Sequence, residues 1–322
     1  MILRCLMFVT IASLQQPTFH SEFSWARKPG QSIVSYVTQE LDRRVQFVSD
    51  RLNLSAELTI NDYVDSQCLF FTLPEFFWNV PWASAGTEEE LLQLSSCYLE
   101  QLPGSIAQLI KWLPLNDYGR VVLMAGTCAS LIKVEDPQGE YFEVVNSVLL
   151  ASNFKFLGDG FPELSMWPKR HVSGIDFGSN VGSDEYYWYF QLSDNLKVKV
   201  RKLSSALSEH NTAQGYGPIL FNSMVEQCPF SINVCLDYAQ LEEGERDEET
   251  EQIEAKIDFL IACGMPFDQN RPYPPSVQFA VRNDGMGEGR CQFAKVSSGR
   301  ISHELQAMKV EETLHFVQLE LS

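Results

Sequence analysis

The chain has 322 residues, 45 % apolar and 20 % charged, which supplies a sizeable core and excludes a mainly disordered protein. Lys plus Arg number 24 against 42 Asp plus Glu, a formal net charge of −18, so the chain repels a phosphate backbone and nucleic-acid binding is not expected. No apolar run reaches the roughly 18 residues a membrane-spanning helix needs, so no membrane partner is expected.

In chain order, residues 3–13 are β-branched and apolar and predict a strand. Met1-Ile2-Leu3-Arg4 ahead of Cys5 also has the outline of a short signal peptide. Its single Arg and the absence of a small-x-small site favour a buried strand instead. Val34, Val37, Leu41, Val45, Val48 and Leu52 recur at 3–4 spacing and predict an amphipathic helix over 33–52. Cys68 to Leu73 is a continuous apolar run, the mark of a strand buried on both faces, and it stops at Pro74-Glu75. Thr87 with Glu90 forms a capping box for a helix running toward Leu102, which Pro103-Gly104 is expected to break before it resumes over 105–113. Arg120 to Met124 predicts a strand ending at Gly126. Cys128 to Val134 and Phe142 to Ala151 predict two strands around the turn Asp136-Pro137-Gln138-Gly139. Lys155 to Leu157 extends the sheet.

The stretch 158–188 reads as loop. Further strands are expected at 196–203, 219–225, 230–236, 258–263, 277–282, 291–296 and within 301–320. Residues 241–254 hold eight acids in fourteen positions, a solvated face without the ligand alternation of a calcium loop. The glycines 285, 287 and 289 open no helix, so they predict a turn rather than a phosphate cradle. Helices among short, fully apolar strands indicate α/β layering, with 1–322 as a single domain.

The eight cysteines form no C-x-x-C pair, so a zinc ribbon is not expected. Most lie inside apolar runs, as free thiols of a reducing, cytoplasmic compartment do; export without a signal peptide stays open.

In α/β folds chemistry gathers at the carboxyl ends of strands. Three polar residues stand there: Glu75 after 68–73, Lys169 in Trp167-Pro168-Lys169-Arg170-His171, and Cys235 after 230–234. Each alone has a plain structural reading, as a helix-start acid, a surface base or a buried thiol. No G-x-S-x-G elbow or H-E-x-x-H pair competes with them.

Together and in this order they resemble the nitrilase (carbon–nitrogen hydrolase) superfamily. Leu69-Phe70-Phe71-Thr72-Leu73-Pro74-Glu75 is similar to its first motif. Lys169-Arg170-His171-Val172 is similar to its lysine segment. Asn233-Val234-Cys235-Leu236-Asp237-Tyr238 is similar to its nucleophile strand. Asn146-Ser147, Ile219-Leu220-Phe221-Asn222 and Arg282-Asn283-Asp284-Gly285 add weaker matches, so the resemblance spans nearly the whole chain.

The resemblance implies a four-layer α-β-β-α sandwich and a Glu-Lys-Cys triad of Glu75, Lys169 and Cys235. It implies a second acid after the lysine, for which Glu185 is the best match with Asp184 and Asp176 behind it. The Leu236 N–H would be a second oxyanion donor, and no metal or cofactor is needed. The implied activity is cysteine-dependent hydrolysis of a non-peptide C–N bond in a small-molecule or side-chain amide. The alternative is a diverged, non-catalytic member that binds a ligand or partner. Three departures stand out. Leu236 replaces an aromatic. The segment 241–254 is unusually acidic. Prolines 266, 272, 274 and 275 occupy a stretch where the family has a helix. Like charges across a twofold axis repel, so the family's homodimer is expected to be weakened or rearranged, and the site more open.

Overall fold

The computed structural model describes residues 6–18, 23–137, 139–154, 164–203, 221–222, 225–240, 255–286 and 290–322. Cys5, the acidic run 241–254, the strand extension at 155–157 and the glycines 287 and 289 lie outside them. Among the described residues, sixteen strands build two sheets. Strands β1 (Met7–Leu14), β2 (Ser66–Thr72), β3 (Val121–Asp136), β4 (Gly139–Ser152), β5 (Leu164–Pro168), β6 (Ser179–Ser183), β7 (Tyr187–Ser193) and β8 (Leu196–Arg201) belong to the first. Its order is β15-β16-β1-β2-β3-β4-β8-β7-β6, with β5 also on β4, where β15 is Met308–Lys309 and β16 is Leu314–Leu321. The second sheet runs β14-β13-β12-β11-β10-β9. These are Arg300–Glu304, Gln292–Ser297, Phe279–Asp284, Ile257–Ala262, Phe230–Val234 and Phe221–Asn222. Of the strand expected at 219–225, residues 221–222 form β9, Val225 lies in a bend, and the rest fall outside the described residues.

Both sheets have a parallel centre: β1, β2 and β3 in one, β10, β11 and β12 in the other. Their apolar faces meet. Val9, Ile11, Phe70, Val122 and Met124 interleave with Phe230, Ile232, Phe259, Ile261 and Val281. Phe70 stacks edge-on against Phe230 with centroids 5.4 Å apart and tilts on Phe259 at 5.5 Å. This explains why these strands read as unbroken apolar runs: both faces are covered.

The far face of the first sheet carries α1 (Ile33–Asp62) and α2 (Glu88–Lys111). Helix α1 extends ten residues past the expected 52. Its buried stripe continues through Ser55 and Thr59, whose hydroxyls bond back to the Arg51 and Ser55 carbonyls and so hide their polarity. Helix α2 begins at the Thr87 cap, which accepts from the Glu90 N–H, but Pro103 does not break it. Leu102, Ile106, Leu109 and Ile110 keep burying the same face across the proline. That packing outweighs the roughly 3 kcal/mol an interior proline costs. A short α3 (Leu115–Tyr118) follows.

Two further expectations are corrected. Strand β3 does not stop at Gly126 but runs on to Asp136, shifting register between Met124 and Thr127. The stretch 158–188 holds β5, β6 and the start of β7. Strand β6 is exposed along its whole length and is held by backbone pairing to β7, so it carries no hydrophobic alternation to read. The outer face of the second sheet is covered, among the described residues, by α4 (Asp237–Gln240) and by the irregular, proline-containing segment 263–278. Arg271 pins that segment: it donates to the Tyr238 carbonyl at 2.6 Å and stacks 3.8 Å over the Tyr238 ring.

Gly126 shows why β3 bends where it does. It has φ 61°, and a Cβ there would overlap the Pro74 carbonyl oxygen and lie 3.0 Å from Leu73 Cβ. Gly126→Ala is therefore expected to destabilise by about 2 kcal/mol or more and to push the 73–75 segment off position. Chemical denaturation gives the first effect. Loss of the Cys235 reactivity described below gives the second.

Candidate active site

The carboxyl ends of both parallel centres converge. The Glu75 N–H donates to the Ala262 carbonyl of β11, and the Asn283 amide of β12 donates to the Leu14 and Thr72 carbonyls of β1 and β2. The first sheet thus hands its chain directly onto the end of the second. Glu75 follows β2 and is fully buried. Phe76 takes φ 58° and donates its N–H to Thr127 Oγ1, which turns the chain at Glu75. Arg44 of α1, itself buried, holds the next residues through the Phe77 and Asn79 carbonyls at 2.5 and 2.9 Å. A sharp, side-chain-braced turn therefore fixes the carboxylate.

Lys169 follows β5, with its backbone N–H on the Asn146 carbonyl of β4. Its Nζ lies 2.9 Å from Glu75 Oε1 and 2.7 Å from Asp176 Oδ2, and the side chains of all three are at most 2 % exposed. Asn146 Nδ2 donates to the same Glu75 Oε1 at 3.2 Å. Glu75 Oε2 is buried and has no partner by bond geometry among the described residues.

Cys235 follows β10 in a left-handed conformation, φ 47°, uncommon for a residue with a Cβ. Strained conformations of this kind gather at functional sites. The Leu236 N–H has no backbone partner among the described residues. The Cys235 thiol donates to the Cys263 carbonyl at 3.7 Å, and it stands close enough to Glu75 for a hydrogen bond that favours the carboxylate.

Asp237 ties the nucleophile turn to the lysine segment. Its carboxylate accepts from the Arg170 and His171 backbone N–H groups at 2.9 and 2.8 Å, and its Oδ1 lies 2.8 Å from His171 Nδ1.

The structure thus brings Glu75, Lys169 and Cys235 to one place. It does not bring Glu185 there. Glu185 is exposed in the β6–β7 turn, and its neighbour Asp184 caps that turn through the Tyr186 and Tyr187 N–H groups. The acid against Lys169 is Asp176. Its carboxylate is aimed inward by a tight turn in which it accepts from the Ser173 N–H at 2.9 Å. Seven residues after the lysine, in Ser173-Gly174-Ile175-Asp176, that turn was the available signal. In the sequence Asn146 stands out only within one of the weaker matches of the resemblance, with no role attached to it. Among the described residues no three His, Cys, Asp or Glu side chains are placed to hold a metal ion. No described helix is long and apolar enough to cross a membrane.

The electrostatics follow from burial. Desolvation pushes the Glu75 carboxyl up to about 7, against the pull of Lys169 and with the help of Asp176. Desolvation alone would lower Lys169, but Asp176 and Glu75 overcome it and hold the ammonium well above its ordinary value. Asp176 is raised by burial and opposed by Lys169. Burial and the Glu75 charge push the Cys235 thiol well above its ordinary value, with Lys169 acting the other way. At rest the cysteine is a neutral thiol beside a carboxyl poised near neutrality, the arrangement a general base requires.

No protein-family profile matches the chain, and no curated protein matches it. Solved structures similar to it include the following three. One is Nit3 from Saccharomyces cerevisiae, a member of branch 10 of the nitrilase superfamily, with 11 % identity and TM-score 0.44, covering 98 % of this chain and 90 % of that one. A carbon–nitrogen hydrolase from Helicobacter pylori G27 has 9 % identity and TM-score 0.45, covering 97 % and 88 %. A glutamine-dependent NAD(+) synthetase from Cytophaga hutchinsonii has 10 % identity and TM-score 0.41, covering 98 % of this chain but only 43 % of its own.

Two outcomes are expected. Alkylation of Cys235 by iodoacetamide, read by mass spectrometry, rises with pH around 7, because Glu75 accepts the thiol proton only when deprotonated; Glu75→Gln removes that rise. Asp237→Ala strands two backbone N–H groups and costs about 1–3 kcal/mol in urea denaturation.

Proposed function

We propose that this chain is a diverged carbon–nitrogen hydrolase that cleaves an amide through a thioester on Cys235. The observation that carries the reading is the buried Lys169 ammonium, held between Glu75 and Asp176 with the Cys235 thiol beside the same carboxylate. A fully buried lysine shared by two carboxylates is costly to build, and such perturbed clusters gather at functional sites.

In this mechanism Cys235 Sγ attacks the amide carbon as its proton passes to Glu75. Negative charge on the carbonyl oxygen is met by Lys169 Nζ and the Leu236 N–H. Glu75 returns the proton to the leaving nitrogen, the C–N bond breaks, and the amine departs. Water then adds to the thioester with Glu75 again taking the proton, and collapse frees the acid and restores the thiol. One amide and one water become one acid and one amine. Asp176 keeps Lys169 charged and aimed throughout.

The substrate is a small-molecule amide or a side-chain amide. The helix-free segment 263–278 beside Cys235 suits the larger of these. Buried free thiols such as Cys68, Cys228 and Cys263 support a reducing, cytoplasmic setting. The acidic total supports a homodimer weaker than the family's.

A panel of primary, N-carbamoyl and side-chain amides, assayed by amine or ammonia release, tests the reading. Cys235→Ala, Glu75→Gln and Lys169→Met are each expected to lose on the order of 10³-fold or more in kcat. Acid quenching of the wild type traps the acyl group on the Cys235 peptide. Hydrolysis by Cys235→Ala at the wild-type rate overturns it.

A further inference from the structure

Glu75 must serve three times in that cycle, and each time the same oxygen has to face the sulfur or the water that replaces it. A carboxylate in a cavity is free to rotate or to trade oxygens unless something holds one of them. Lys169 holds Oε1, but as an ammonium it is a point charge that attracts either oxygen equally well. The second contact on Oε1 is the Asn146 amide at 3.2 Å, from a side chain only 1 % exposed.

We propose that Asn146 is a positioning residue for Glu75: with Lys169 it commits Oε1, so that Oε2 alone carries the proton between Cys235 and the substrate. This rests on the hydrolase reading above and adds a residue to it. Three features support it. Asn146 grips both partners, the Glu75 carboxylate through its amide and the Lys169 backbone N–H through its carbonyl at 2.8 Å. It lies within the long β3–β4 ladder, opposite Ala129, so its backbone is rigid. Lys169 and Asn146 both bond Oε1, which leaves Oε2 as the oxygen for the neighbouring Cys235 thiol.

The groups facing Glu75 are Lys169 after β5, Asp176 in its turn, Cys235 at the end of β10 and Cys263 at the end of β11. None of these is altered by truncating the Asn146 side chain, and its carbonyl still receives the Lys169 N–H. The sign of the effect is then fixed. A hydrogen bond donated to the charged carboxylate favours it, so losing the donor makes Glu75 harder to deprotonate.

The test reads Cys235 alkylation by iodoacetamide against pH, which needs no substrate, together with turnover where the amide panel supplies one. In Asn146→Ala the limb near neutrality is expected to move up by at least 0.5 pH unit. Turnover at pH 7 falls ten- to a hundredfold, through kcat with KM within threefold, while labelling of Cys68 is unchanged. Asn146→Asp, equal in size and so safer for folding, places a third carboxyl against Oε1 and is expected to move the limb further. A folded Asn146→Ala and Asn146→Asp whose limbs both coincide with the wild type overturn the proposal. Glu75→Gln separates the two failures. If it abolishes the limb while the Asn146 variants leave it unmoved, the hydrolase reading stands and the positioning role falls. If Glu75→Gln keeps the wild-type limb, the reading of Glu75 as base falls, and the positioning role with it.

Discussion

The structure depends on one buried cation. Lys169 is almost wholly removed from water, and its ammonium is satisfied by two carboxylates, not one. A single buried ion pair barely repays its desolvation, and deleting one member leaves a charge worth several kcal/mol of instability. The cluster is therefore over-anionic by design: Glu75, Asp176 and Lys169 sum to −1 when all are charged. The two carboxylates keep the lysine protonated, while burial, aided by Asp176, lifts Glu75 toward neutrality and burial, aided by the Glu75 charge, holds Cys235 as a thiol. A stored thiolate would need net positive surroundings. In the proposed cycle the nucleophile forms instead only as Glu75 takes the proton, which couples the first bond-making step to the base.

Holding such a cluster together is a problem for the fold, because its members come from four stretches of chain. Two sheets with parallel centres solve it by ending at the same place. Glu75 leaves β2 and bonds at once to the end of β11. Asn283 reaches from β12 to the last carbonyls of β1 and β2. The interleaved phenylalanines between the sheets set their separation, so the strand ends have no freedom to drift. Helix α1 adds a brace from outside through Arg44, a buried guanidinium that bonds Ser24 and Glu40 and also holds backbone carbonyls just beyond Glu75. The long-range architecture and the short-range chemistry thus share residues.

The parts legible in the sequence are those governed by burial and local caps. The apolar runs at 68–73, 230–234 and 257–262 announce strands covered on both faces, and the Thr87–Glu90 pair marks a helix start. Residues at the ends of such runs are natural candidates, which is why Glu75, Lys169 and Cys235 were within reach. What escaped depends on tertiary context. Pro103 is tolerated because the buried stripe continues past it. Strand β6 owes its existence to a neighbour, not to its own residues. The acid beside Lys169 was assigned to Glu185 because sequence distance does not reveal that 185 sits at a hairpin turn. Asp176, by contrast, is folded inward by a turn of four residues.

Asn146 is the sharpest case of that limit. In sequence it is one polar residue in a strand that is otherwise largely apolar, and a polar residue there is usually a defect to be satisfied. In the structure it faces a carboxylate whose two oxygens have different surroundings. One is bound by an ammonium and an amide; the other is bonded by neither. A symmetric group has been made asymmetric by its surroundings. The asymmetry is what general acid–base work demands, since a base that must receive a proton from sulfur, give it to nitrogen and take another from water gains nothing from a second equivalent oxygen. A buried amide is suited to that task where a second cation is not. It fixes direction without adding a positive charge, which would pull the carboxyl down against the burial that keeps it near neutrality.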